Sequence, residues 1–387
     1  MSRDTTSFGL IFLLWGAGLG AAAQYGKVSV IYDQLPNIYP GGGVGIAFLV
    51  SVVGFVGIVF GVVAGLIVAR VGYRRALLWA LWGGAVISAV EAVLPPLSFM
   101  LVLRVLEGIS HLALVVAAPT LIAQLSAARH RGFTLTLWST FFGVAFTVLV
   151  WGGLPMVDAL GVPSLFAAHA VWMAAFAILL TLRLPMDAEQ AQNDVISFRS
   201  ILRDHMTIYR SPFIAAPGLG WLFYTFCFLA FLTLLPPFLA DSERAFVLGS
   251  IPLVSIFVSM TLGVWLLRYI SAVNVVLIGF ATAMLCLIWL LFDQGGVVPC
   301  FALAGAFGLV QGASFAAVPQ LNDTPATQAN SNGAMAQMGN IGNTLGTPVL
   351  AALILIGGYD ALIISSIVVM GAGCLCHLCM AHWRRIS

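Results

Sequence analysis

Arg104, Glu107 and His111 stand three and four residues apart inside the otherwise apolar run LPPLSFMLVLRVLEGISHLALVVAAP, Leu94 to Pro119. On a helix these spacings put all three on one face. A guanidinium, a carboxylate and an imidazole aligned this way can hold an anion, balance its charge and exchange a proton, since imidazole titrates near neutral pH. Lys27, the only lysine in the chain, lies in a second apolar stretch, AAAQYGKVSVIY. An ammonium is a compact charge that responds readily to burial. At ~1.5 Å of rise per residue, Lys27 and Arg104 fall roughly 10 Å inside one membrane boundary and His111 about 10 Å deeper. Charges at such depth face a bundle interior or a water-filled cavity and are usually functional.

The elements that position these groups must be membrane helices. Of 387 residues, 61% are hydrophobic and 8% charged, with a mean hydropathy of +1.06. Soluble domains carry about 25% charged residues. The net charge of +2 is scattered over span ends and makes no nucleic-acid footprint. The six cysteines lie in or beside apolar runs and form no disulfide framework. The segment CLCHLCMAH, Cys374 to His382, spreads its sulfur and imidazole groups around several helix faces, so neither a metal nor another cofactor is expected. No GxxxxGK[ST] phosphate loop occurs.

A helix needs about 20 apolar residues to cross the hydrocarbon. Twelve windows qualify: 8–33, 44–68, 76–94, 97–123, 133–155, 162–184, 213–238, 246–267, 271–292, 298–319, 333–356 and 360–382. With this count all the arginines but Arg244 fall outside the opposite loops, apart from the buried Arg104. The positive-inside bias then predicts both termini in the cytoplasm. Glu91, near the end of the third window, reads as interfacial. The polar stretch 185–212 divides the chain into an N-terminal six-helix bundle, residues 1–184, and a C-terminal one, residues 213–387.

Three internal matches relate the halves. GLG at Gly18–Gly20 followed by LP at Leu35–Pro36 recurs at Gly218–Gly220 and Leu235–Pro236. Gly65 and Arg70 in GLIVAR match Gly263 and Arg268 in GVWLLR, and EGISHLA from Glu107 matches QGASFAA from Gln311. A parallel duplication of a six-helix unit, with a site between repeats, is a transporter architecture.

On these features the chain resembles the major facilitator superfamily over its whole length. GLIVARVGYRR is similar to the family's cytoplasmic gate motif in the loop between spans 2 and 3, with Gly65, Arg70, Gly72, Arg74 and Arg75 in place and Ala69 where an acid is expected. LRVLEG, Leu103 to Gly108, resembles the span-4 motif with its buried arginine. GNIGNTLGTP, Gly339 to Pro348, resembles small-residue patterns that let helices approach closely. The proline-containing span-5 motif of proton-antiport drug exporters is not evident.

The resemblance implies an all-α polytopic membrane protein with the superfamily fold, its twelve helices forming two pseudo-symmetric six-helix bundles. It also implies that spans 1 and 4 line the cavity of the N-terminal half, where two cations and one carboxylate would share a wet compartment. The expected substrate contacts are Gln24, Tyr25, Lys27 and Arg104, with Tyr224, Gln311, Gln337 and Asn340 from the C-terminal half. Glu107 and His111 are the expected proton-coupling residues. His111 takes the spacing, seven after the span-4 arginine, at which organic-anion symporters of the superfamily place a carboxylate. The functional expectation is proton-coupled uptake of a small organic anion by alternating access, in a monomer of the bacterial inner membrane. Export of drugs or metabolites by proton antiport is the alternative. A membrane enzyme or receptor is a remoter one, because no nucleophile or metal constellation is present.

Overall fold

The computed structural model describes residues 5–61, 63–185 and 205–386. Every regular element among them is helical. In hydrocarbon each backbone N–H and C=O must be bonded within its own segment, which a helix achieves and an open strand does not. Among the described residues, nine helices are long and apolar enough to cross a membrane, and Val44–Phe60 is a shorter apolar helix. Two further passes complete the twelve. Tyr73–Glu91, span 3, is 19 residues long but carries Arg74, Arg75 and Glu91. The helical run Pro325–Ile386 breaks at Gly357 and Gly358, the latter at φ +59°, and so divides into spans 11 and 12. The expected linker, 185–212, lies mostly outside the described residues.

Two compact units are formed. One comprises Met1–Val56 and Val63–Asp194, the other Gly57–Val62 and Val195–Ser387. In the first, Leu14, Leu77, Leu81, Leu114, Ile122 and Met173 build a common core. Phe12, Trp79, Val171 and Leu182 stay exposed on the span surfaces, which suits lipid rather than water.

The repeats noted in the sequence make the same contacts in both units. In span 1, Phe8–Ser29, a Cβ on Gly18 would touch Trp138 of span 5 and one on Gly20 would touch Met173 of span 6. In span 7, Ala215–Leu234, Gly218 faces the Ala334 backbone of span 11 and Gly220 faces His377 of span 12. Gly108 of span 4, Leu97–Leu125, brings that helix onto the Val53 carbonyl, 2.3 Å from an added Cβ. Its repeat mate Gly312 of span 10, Val297–Leu321, does the same against Ser259 Oγ, also at 2.3 Å. Pro119 and Pro319 extend the relation, each sitting near the C-terminal end of its helix.

Some spans depart from the continuous helices read in the sequence. Span 2 is Val44–Ser51, a 3-10 turn at Val52–Gly54, Phe55–Phe60 and, after a turn, Ala64–Val71. Glycines at 54, 57 and 61 supply no side chain to hold one continuous ladder there. Spans 5 and 8 each contain a π-helical turn, Leu149–Gly153 and Ser259–Gly263. Such turns widen the backbone ladder locally and often mark functional helices.

Candidate functional site

The expected gate motif forms the corner between Ala64–Val71 and span 3. Gly72 turns the chain at φ +94°, a conformation that disfavours any residue with a side chain. Arg74 donates from Nε to the Leu184 carbonyl at 3.1 Å and from Nη2 to the Thr181 carbonyl at 3.0 Å. These lie at the end of span 6, Pro163–Arg183, where helix carbonyls lack backbone partners. Arg70 and Arg75 are exposed, and Gly65 faces open space.

The N-terminal unit holds a buried ionic network. Lys27, Glu91, Arg104 and Glu107 are all fully buried. Lys27 Nζ meets Glu91 Oε2 at 2.5 Å, Glu107 Oε1 at 2.6 Å and Ser88 Oγ at 2.5 Å. These three acceptors use the three N–H bonds of the ammonium. The Phe166 ring lies 5.4 Å away and adds a cation–π contact.

Each nitrogen of Arg104 also has a partner. Its Nη1 donates to Glu107 Oε2, its Nη2 to the Gln24 carbonyl, and its Nε to the Leu49 carbonyl at 2.8 Å. Leu49 lies just before span 2 tightens into its 3-10 turn. The guanidinium thus ties span 4 to spans 1 and 2. Gln24 Nε2 donates to Ser110 Oγ at 2.9 Å, and Ser110 donates onward to the Ala80 carbonyl at 2.7 Å.

Two histidines border the network. His169 Nε2 lies 2.9 Å from the Gly20 carbonyl, which can only accept, so this nitrogen carries the hydrogen. Nδ1 is then the acceptor for Ser88 Oγ at 2.6 Å. His111 is fixed similarly: its Nδ1–H donates to the Ala21 carbonyl at 3.0 Å, and Tyr25 packs edge-on at 5.0 Å.

Lys27, Arg104, Glu107 and Gln24 are therefore brought together, with His111 one turn beyond Glu107 and Tyr25 packed against it. The expected balance of two cations and one carboxylate is corrected, because Glu91 is not interfacial. It is the second carboxylate of the network, fully buried with the other three charges. The reason is energetic: an uncompensated charge in a low-dielectric interior is strongly destabilising, and a second carboxylate removes the excess. Ser88 and His169 were also missed. A demand for charge neutrality points to Glu91, and a lone histidine in the apolar run FAAHAVWM points to His169.

In the C-terminal unit, Tyr224 Oη approaches Gln311 Oε1 at 3.4 Å. Trp221, Phe228 and Phe307 surround Tyr224 at ring separations of 4.6, 5.2 and 5.8 Å. Gln337 is engaged elsewhere: Tyr209 donates to its Oε1 at 2.7 Å, and its amide nitrogen lies 3.1 Å from His205 Nε2. Asn340 Nδ2 donates to the Ala336 carbonyl of its own helix at 2.8 Å.

The sequence profile of the Major Facilitator Superfamily matches residues 6–347, which spans both units. The chain belongs to the major facilitator superfamily. No match is found among curated proteins. The protein is thus a multi-pass secondary transporter acting on small molecules within the membrane, and not an enzyme. Among the described residues the buried lysine, arginine and glutamate side chains all lie in the N-terminal unit, while Gln311 takes the sequence place of Glu107 in the C-terminal repeat.

Proposed function

We propose that this transporter carries a small organic anion into the cell together with a proton, with the Lys27, Glu91, Arg104 and Glu107 network coupling the two. The observation that carries the reading is the network's charge balance: two buried cations against two buried carboxylates. Protonating one carboxylate leaves a net charge of +1. A bound monoanion returns the total to zero. In a low-dielectric interior an unbalanced charge is expensive, so proton and anion favour each other's binding.

Lys27 and Arg104 then attract the anion, with Gln24 and Tyr25 beside them. In the C-terminal unit, Tyr224 and Gln311, set among aromatic rings, are the candidate substrate contacts. His111, its Nδ1–H already given to Ala21, acts as a neutral neighbour rather than the proton carrier. The transporter works as a monomer by alternating access, and its arginine bias supports cytoplasmic termini in a bacterial inner membrane.

The aromatic cluster around Tyr224 favours a second reading, export of a bulky apolar compound by proton antiport. A thermal-shift panel of small carboxylates, run at acidic and neutral pH, separates the two. A ligand that binds only the folded state raises stability by about 2.7 kcal/mol at 100 times its dissociation constant. Under symport a carboxylate stabilises the protein more at acidic pH. Stabilisation by apolar compounds that weakens on acidification contradicts symport, because proton and substrate then compete.

A further inference from the structure

Two buried acceptors beside the cations have no hydrogen-bond partner, Gln24 Oε1 and Glu91 Oε1, and only the second belongs to a carboxylate. Glu91 Oε2 receives Lys27, but Glu91 Oε1 is buried with no hydrogen-bond partner, Arg104 Nη1 lying 3.6 Å away. Glu107 differs in this respect. Its Oε1 is taken by Lys27 and its Oε2 by Arg104. A proton added to Glu107 displaces one of these donors, whereas a proton added to Glu91 Oε1 displaces none.

We propose that Glu91 is the residue that takes up the transported proton. The assignment rests on the proton-coupled reading above and names its carrier. The groups facing Glu91 are Lys27 of span 1, Arg104 and Glu107 of span 4, and His169 of span 6, which is reached through Ser88. Tyr39, after the short helix Leu35–Ile38, lies within its electrostatic reach.

Position supports the role as well. Glu91 is the last residue of span 3, and Leu94 in the following loop takes a left-handed turn at φ +49°. Of the two carboxylates it is the one beside a loop, on the side that the arginine bias reads as external. The step balances simply. An external proton converts the Glu91 carboxylate to a neutral carboxyl, and the network moves from zero to +1. The anion restores zero, and release of both on the other side regenerates the carboxylate.

Infrared difference spectroscopy of the purified full-length transporter, titrated with acid alone, tests the assignment without a known substrate. The wild type is expected to show, on acidification, the C=O stretch of a buried protonated carboxyl, distinct from those of the exposed carboxyls. Glu91→Gln loses this band and Glu107→Gln keeps it. Should Glu91→Gln fail to fold, the charge-balanced double variant Lys27→Met/Glu91→Gln decides, and it too must lack the band. A band kept without Glu91 but lost in Glu107→Gln overturns Glu91 as carrier and leaves proton coupling standing. A wild type with no such band overturns both.

Discussion

Glu107→Ala lowers the stability of the folded transporter by about 3–5 kcal/mol, the range for removing one partner of a buried ion pair. Glu107 meets Lys27 through one oxygen and Arg104 through the other, and all three side chains are fully buried. Truncation leaves a net positive charge in a packed interior. The fall is read as a lower melting temperature in detergent. Glu107→Ala/Lys27→Met, which removes one charge of each sign, recovers much of the loss. If the single variant melts like the wild type, the network is not the electrostatic core described above.

Gly346→Leu prevents spans 7 and 11 from packing. A Cβ at Gly346 would sit 2.0 Å from the Phe226 carbonyl oxygen and 3.0 Å from Phe226 Cα, atoms of the backbone that cannot rotate aside. Gly342 repeats the approach one turn earlier, 2.5 Å from the Leu222 carbonyl. Overpacking a well-filled interior commonly costs about 1–3 kcal/mol, and a clash with backbone belongs at or above the top of that range. The expected result is little monodisperse protein on size-exclusion chromatography. Gly9→Leu is the control, because nothing lies within 4 Å of a Cβ there. Equal yields from the two variants would contradict the close packing.

Much of this was legible along the chain because it is periodic. The spacing of Arg104, Glu107 and His111 fixed their common face, and the paired GLG segments pointed to contacts that both units make. GNIGNTLGTP announced a close helix approach, which Gly342 and Gly346 make against span 7. What depends on distance between helices was hidden. Glu91 stands at the end of its helix, where a carboxylate is ordinarily interfacial, and only the fold shows Lys27 reaching it. Ser88 and His169 carry no spacing signal, since each meets the network from a separate span. The break in span 2 was masked by an apolar run that reads equally well as continuous helix. Gln337 shares a helix with other polar residues, and the sequence does not show that its amide meets Tyr209 and His205.

The central claim is that proton and anion move together, and accumulation in proteoliposomes tests it most directly. The probe is the radiolabelled carboxylate that stabilises the transporter most in the thermal-shift panel. With acid outside and neutral buffer within, wild-type vesicles should accumulate it several-fold above vesicles containing Lys27→Met/Glu91→Gln, and a protonophore should abolish the difference. Accumulation that is the same with and without the proton gradient would contradict the account.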